Sequence, residues 1–183
     1  IIKEFNTHPS DITVAYPGVD ERFYLNRKSY KPPHPYFVFV GSLNKTKDIP
    51  LLLESFAKFL QTKKNTIDLL LVGGDYWPDP AIDEAIAKHN LSSRVIKVGH
   101  VTDAELALYY RGAVAFVTTA RHEGFCLPAV EAMASATPVI AVSRGALPEI
   151  VGDGGLVVPA DSHHIAEAMN RMMKKSLRTQ ISK

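Results

Sequence analysis

Two glutamates eight positions apart, Glu123 and Glu131, are the residues of this sequence best suited to carry chemistry. They stand in the run Arg121-His-Glu123-Gly124-Phe125-Cys126-Leu127-Pro128-Ala-Val-Glu131. Ionised carboxylates only accept hydrogen bonds, which suits them to sugar hydroxyls. A helix that starts near Leu127 sets Glu131 one turn inside it, roughly 6 Å along the axis at 1.5 Å per residue. The two carboxylates then line one groove without touching. Between them the helix start offers free amides and the positive end of its dipole, a setting that suits a pyrophosphate. One carboxylate can take a ribose diol and the other a hexose hydroxyl. The same spacing also fits a solvated loop residue and a pair on a helix surface.

Other loops supply weaker signals. Gly41-Ser42-Leu-Asn-Lys45-Thr46-Lys47-Asp48 follows an apolar run. Glycine there lets a ligand approach the backbone, and Lys47 can reach a phosphate as a mobile point charge. A plain surface loop with solvated lysines has the same composition. No Gly-x-x-x-x-Gly-Lys-Ser/Thr and no Gly-x-Gly-x-x-Gly follows the strand, which argues against ATP hydrolysis and against nicotinamide or flavin binding. Gly73-Gly74-Asp75 reads first as a turn. Main-chain atoms of Gly99-His100-Val101 can pair with a nucleobase edge or simply make a turn. Ser143-Arg-Gly145-Ala-Leu-Pro148-Glu149 offers further amides ahead of a helix, where Glu149 is also favoured by the dipole alone. His100 reads as structural, and His163-His164 as surface.

These loops need a frame. Apolar runs at 36–41, 67–72, 94–98, 113–117, 138–142 and 155–158 predict six strands. Between and after them, helical patterns cover 49–60, 81–89, 103–111, 128–135, 147–151 and 163–175, the first with apolar residues at 49, 52, 53, 56, 57 and 60. Strands apolar on both faces and alternating with helices predict an α/β fold, a Rossmann-like doubly wound parallel sheet of about six strands with helices on both faces. Ligands of such sheets bind at the carboxyl ends of the strands, where all these loops lie. Residues 1–35 read differently: a short strand at 12–16, a turn at Pro17-Gly18-Val19-Asp20, and a stiff connector, Lys31-Pro-Pro-His-Pro35. They form a lead-in segment packed on a domain of residues 36–183.

The 183 residues fit one domain, which typically takes about 100–200. A chain that long buries roughly 70% of its unfolded surface, so no disulfide or metal staple is required. The formal charge of +2 is too small to argue for nucleic acid. The basic tail, Arg171, Lys174, Lys175, Arg178 and Lys183, reads as a solvated helix end, with contact to an anionic membrane surface left open. One cysteine, Cys126, permits neither an internal disulfide nor a cysteine zinc site, and a reducing compartment is compatible. No apolar run reaches the roughly 18 residues of a membrane span. The expected location is cytoplasmic, with peripheral membrane contact open. The opening, Ile-Ile-Lys-Glu-Phe-Asn, reads like a sequence that starts in the middle of something.

Taken in order, Gly41-Ser-Leu…Lys47, Gly99-His-Val101, Glu123-Gly-Phe-Cys-Leu-Pro-Ala-Val-Glu131-Ala-Met-Ala and Gly145-Ala-Leu-Pro-Glu149 resemble the carboxyl-terminal domain of family 4 glycosyltransferases. Tyr16-Pro-Gly-Val-Asp20…Phe23 resembles the segment that leads into it. The resemblance implies one half of a GT-B fold, the half that holds a UDP- or GDP-linked sugar. It implies transfer of a mannose- or glucose-type hexose with retention, without a metal or other cofactor. The partner substrate would be a glycan or lipid-linked acceptor held by an amino-terminal domain absent from this chain, so the isolated domain should be inactive. Lys47 and Glu123 would be catalytic, Lys47 neutralising the leaving diphosphate and Glu123 binding the donor sugar. Glu131 would bind the ribose and Val101 would face the base. Gly41, Ser42, Gly124, Phe125, Cys126 and Leu127 would complete the donor site.

Three departures stand out. Ser42 and Thr46 occupy positions where the family often has arginine, so Lys45 or Arg121 would have to supply a second cation. Cys126 occupies a position that is usually glycine, where a side chain could crowd the donor or change which sugar fits. The amino-terminal domain and a long final helix are missing. Two other readings remain open: a nucleotide-sugar epimerase or phosphorylase-like enzyme on the same scaffold, and a degenerate, non-catalytic binding module.

Overall fold

The computed structural model describes residues 2–25, 28–62, 66–74 and 79–181. Asp75 and Lys183, both named above, lie outside the described residues. Six strands form one parallel sheet: β1 (Tyr36–Val40), β2 (Asp68–Val72), β3 (Val95–Gly99), β4 (Ala115–Thr118), β5 (Val139–Val142) and β6 (Gly155–Val158). The spatial order is β3-β2-β1-β4-β5-β6. The chain winds outward from β1 to β3, returns to β4 beside β1, and winds outward again. The doubly wound reading is therefore met, with the change of direction between β1 and β4.

Nine helices accompany the sheet among the described residues: α1 (Ile2–Phe5), α2 (Arg22–Leu25), α3 (Ile49–Thr62), α4 (Pro80–Lys88), α5 (Asp103–Gly112), α6 (Leu127–Ala134), α7 (Leu147–Val151), α8 (Ser162–Met172) and α9 (Lys175–Ile181). One layer holds α3 against α4 and α8; the other holds α5 against α6, α6 against α7, and α2 across α5 and α6. The core lies between these layers and the sheet. Phe37 and Phe59 meet edge to face with ring centroids 5.5 Å apart, and both are fully buried. Truncating such a phenylalanine typically costs about 3–5 kcal/mol.

Three expectations change. Residues 12–16 form no strand: they pair with none of the six strands and lie largely exposed. The strands are not all covered on both faces: β3 is an edge strand whose Ile96 and Lys97 face solvent, and Lys97 pairs with Asp83 at 2.6 Å. A lysine on an edge also discourages pairing with another chain. The helix predicted over 163–175 ends at Met172, which leaves Arg171 in α8, and Lys175 and Arg178 of the basic tail belong to a separate helix, α9. Arg178 of α9 donates to the carbonyls of Met172 (2.7 Å) and Met173 (3.3 Å), so it satisfies the end of α8. No helix among the described residues is long and apolar enough to cross a membrane.

Candidate functional site

The loops leaving β1, β4 and β5 meet at the point where the strand order reverses. Glycines allow the approach. Gly73 (φ +136°) abuts the end of β1 so closely that an added Cβ would lie 2.1 Å from the Gly41 carbonyl oxygen. The Gly41 amide donates to the Val72 carbonyl at 3.0 Å, and the Leu43 amide to Gly74 at 3.0 Å. Gly145 (φ +54°) is pressed as hard against the loop after β4: its Cβ would sit 2.6 Å from the Glu123 carbonyl oxygen. The Ala146 amide donates to that same oxygen at 3.1 Å. The backbone of Glu123 is thus fixed from the α7 side.

The β1 loop is clamped onto the loops after β4 and β5 by further contacts. The Thr119 hydroxyl lies 3.0 Å from both the Lys47 and the Asp48 carbonyl oxygens. The Arg121 amide donates to the Thr46 carbonyl at 2.9 Å. Asp48, buried and in the left-handed conformation (φ 52°), holds Arg121 at 3.1 Å and Arg144 at 3.2 Å. Lys47 Nζ lies 2.5 Å from Glu123 Oε1. The Lys47 stem passes beside Gly41, its Cε 3.7 Å from where a glycine Cβ would stand. The two predicted catalytic residues therefore meet, with their side chains mostly withdrawn from water.

Gly124, Phe125, Cys126 and Leu127 lead from Glu123 into α6. No side chain caps this helix. Cys126 sits at its N-cap with φ 73°, in the left-handed region that favours glycine. Its side chain is buried in the core, and burial pushes the thiol pKa up to about 11. The thiol belongs to the core cluster.

Glu131 lies one turn into α6, with the Tyr110 hydroxyl donating to its Oε2 at 3.0 Å. Burial raises the Glu131 pKa; the Tyr110 bond lowers it, and the nearby Asp103 charge raises it. Tyr110 itself is held well above its usual pKa by burial and by the Glu131 charge. Asp103 also lines a cavity of about 320 Å³ at the carboxyl ends of β1, β2 and β3, together with Gly41, Ser42, Gly73, Val101 and Leu106. Gly41, Ser42 and Val101 thus share one cavity, while Glu123 and Lys47 stand outside its lining.

Of the candidate second cations, Lys45 is exposed in the loop and Arg121 is engaged with Asp48. Asp48, Thr119, Tyr110 and Arg144 were not singled out by sequence. Their partners lie 21 to 96 positions away, so no local pattern marks them. His163 and His164 are on the surface, the latter 2.6 Å from Asp161. Among the described residues no group of three or more His, Cys, Asp or Glu is placed to hold a metal ion.

A family model described as "Glycosyl transferases group 1" matches residues 22–183. A curated relative, MMP alpha-(1->4)-mannosyltransferase of Mycolicibacterium hassiacum, is 31% identical over 177 residues, 94% of this chain and 42% of the relative. Sucrose-phosphate synthase from Thermosynechococcus elongatus superposes with a TM-score of 0.76 at 29% identity, covering 91% of this chain and 44% of that one. The C-terminal domain of a glycosyl transferase group 1 family protein from Francisella tularensis superposes with a TM-score of 0.75 at 28% identity, covering 91% of this chain and 93% of that domain. The chain spans less than half the length of the curated relatives it matches.

Proposed function

The chain belongs to the glycosyl transferases group 1 family, and on that premise we propose that it is the donor-binding half of a family 4 retaining glycosyltransferase. The observation that carries this reading is the meeting of Lys47 and Glu123 beside the start of α6, with Glu131 one turn further on. The donor is a UDP- or GDP-linked hexose of mannose or glucose type. Its base enters the cavity beside Val101, its ribose reaches Glu131, its diphosphate lies at the start of α6, and its hexose meets Glu123.

The chemistry follows from charge. Breaking the bond to the anomeric carbon builds negative charge on the departing diphosphate, and Lys47 with the first-turn amides stabilises that charge as it develops. The sugar becomes cationic at the same moment, and Glu123 with the neighbouring backbone holds it in place for the acceptor. No resident cofactor has a step in this scheme. The acceptor, a glycan or a lipid-linked sugar, is brought by another domain of the full-length protein. Contact with a membrane is peripheral and falls to exposed basic residues other than Arg178, which is occupied at the end of α8.

Calorimetric titration with UDP, GDP and ADP, on this chain and on Glu131→Ala, tests the reading. The expected result is saturable binding of one nucleotide, weakened about tenfold or more in the variant, because a charged hydrogen-bond partner contributes about 1.5–3 kcal/mol. Binding that Glu131→Ala leaves intact overturns the ribose assignment. No binding by this chain or by the full-length protein overturns the donor reading.

A further inference from the structure

The lead-in segment reaches the loops of the candidate site. Residues 12–20 carry no helix or strand, yet they are anchored at one end. Phe23 is buried against Tyr110, and Arg111 donates to the Arg22 carbonyl at 2.7 Å. Arg22 also reaches Asp103 at 3.2 Å, on the rim of the nucleoside cavity. From that anchor the chain runs back to Tyr16, whose ring stands 5.9 Å from the Phe125 ring, tilted by 33°. The Tyr16 hydroxyl donates to Glu149 Oε1.

Phe125 and Glu149 belong to two segments that both adjoin Glu123. Phe125 is two residues after Glu123. Glu149 is in α7, whose leading residue Ala146 holds the Glu123 backbone. Tyr16 therefore bridges the loop after Glu123 and α7, beside the residue to which the hexose is assigned above, while 59% of its surface remains open. Tyrosine offers an apolar ring and a polar tip, the pairing that the faces and hydroxyls of a sugar require. Tyr16 is not part of the core cluster.

We propose that Tyr16 is a donor-contacting residue that closes the hexose end of the groove, its ring and its hydroxyl selecting, with Glu149, which hexose is accepted. This rests on the donor reading above. Bound sugar lies against the ring beside Phe125, and its hydroxyls compete with the Tyr16 hydroxyl for Glu149.

The test separates sugar from nucleotide. This chain, Tyr16→Ala and Tyr16→Phe are titrated with UDP and UDP-glucose, and with GDP and GDP-mannose. Tyr16→Ala should weaken the preferred nucleotide sugar by about five- to tenfold while the free diphosphate changes less than about twofold. Tyr16→Phe keeps the ring and should lose about two- to threefold. The exposed position predicts unchanged melting temperatures, which are measured to confirm folding. Equal losses for sugar-linked and free nucleotide assign Tyr16 a structural role and overturn the proposal. It is equally overturned if neither ligand is affected, or if the parent chain binds a diphosphate but no sugar-linked form. A parent chain that binds none of the four ligands refutes the donor reading itself, a separate failure.

Discussion

The two ends of the proposed donor site are built on opposite physical plans. The nucleoside end is a cavity set by glycine contacts and lined by Val72, Val101 and Leu106, with Glu131 held by a buried phenol nearby. The hexose–phosphate end is a mesh of charge: Lys47 with Glu123, and Asp48 with both Arg121 and Arg144. The first end has a shape waiting to be filled. The second has its charges already satisfied by one another, so a ligand there must exchange partners with the protein. On the proposed reading, a diphosphate competes with Glu123 for Lys47, and a hexose that engages Glu123 releases Lys47 for the phosphates.

Filling the shape at the nucleoside end should have the largest effect. Gly73→Ala puts a Cβ into the Gly41 carbonyl and forces a left-handed backbone on a residue that resists it. The expected cost is about 3 kcal/mol, from overpacking and strain together, read by chemical denaturation. A cost under 1 kcal/mol would mean the β1 and β2 ends part easily, and the rigid picture of this end would be lost.

A smaller, opposite-signed effect is expected at the charged end. Glu123→Gln frees Lys47, so the free diphosphate should bind about two- to fivefold tighter, the range for an ion pair of about 0.5–1 kcal/mol. The nucleotide sugar, which loses its hydroxyl acceptor, should not share that gain. Calorimetry at low and high salt reads both, and a uniform fall in affinity for the two ligands would contradict the exchange of partners.

The smallest effect concerns Glu131 and acidity. Its pKa is raised in the folded chain, so the protonated form is the one the fold favours. The stabilising contribution of this group is complete below its unfolded pKa and is lost as pH rises through the folded value. At pH 7 the ionised carboxylate is therefore a burden on stability. Glu131→Gln, which keeps an acceptor for Tyr110, should raise the melting temperature at pH 7. That gain should fade as pH drops into the carboxylate range. Thermal melts at pH 4 and pH 7 decide it; a gain that is independent of pH would point to packing instead of charge.

Much of this frame can be read directly along the chain. Buried runs such as Phe37–Phe39 and residues 69–72 announce strands because both faces are covered, and the glycines after them mark the ligand edge. The reading failed where covering by distant elements decides the outcome. Residues 12–16 have strand-like composition but join no strand of the sheet, while Lys97 sits in β3, at the edge of the sheet. The carboxylates were visible because eight positions on a loop and a helix start form a local pattern. Their partners were not. Tyr110 meets Glu131 across two packed helices, and Asp48 gathers its arginines only once β1, β4 and β5 lie side by side. The lead-in segment illustrates the same limit: its tyrosine gains meaning only from Phe125 and Glu149, 109 and 133 positions on.

Cys126 has a practical consequence. It is the sole thiol of the chain, it is buried, and its pKa of about 11 leaves almost no thiolate at neutral pH. A maleimide or disulfide reagent should pass it by while α6 stays seated. A single cysteine placed on the surface can then carry a fluorophore or spin label without first removing the native one. Conversely, the rate at which Cys126 becomes modifiable is a clock for the opening of the loop between Glu123 and α6. A ligand that braces this loop would slow that clock, making one sulfur atom the built-in reporter of the site beside it.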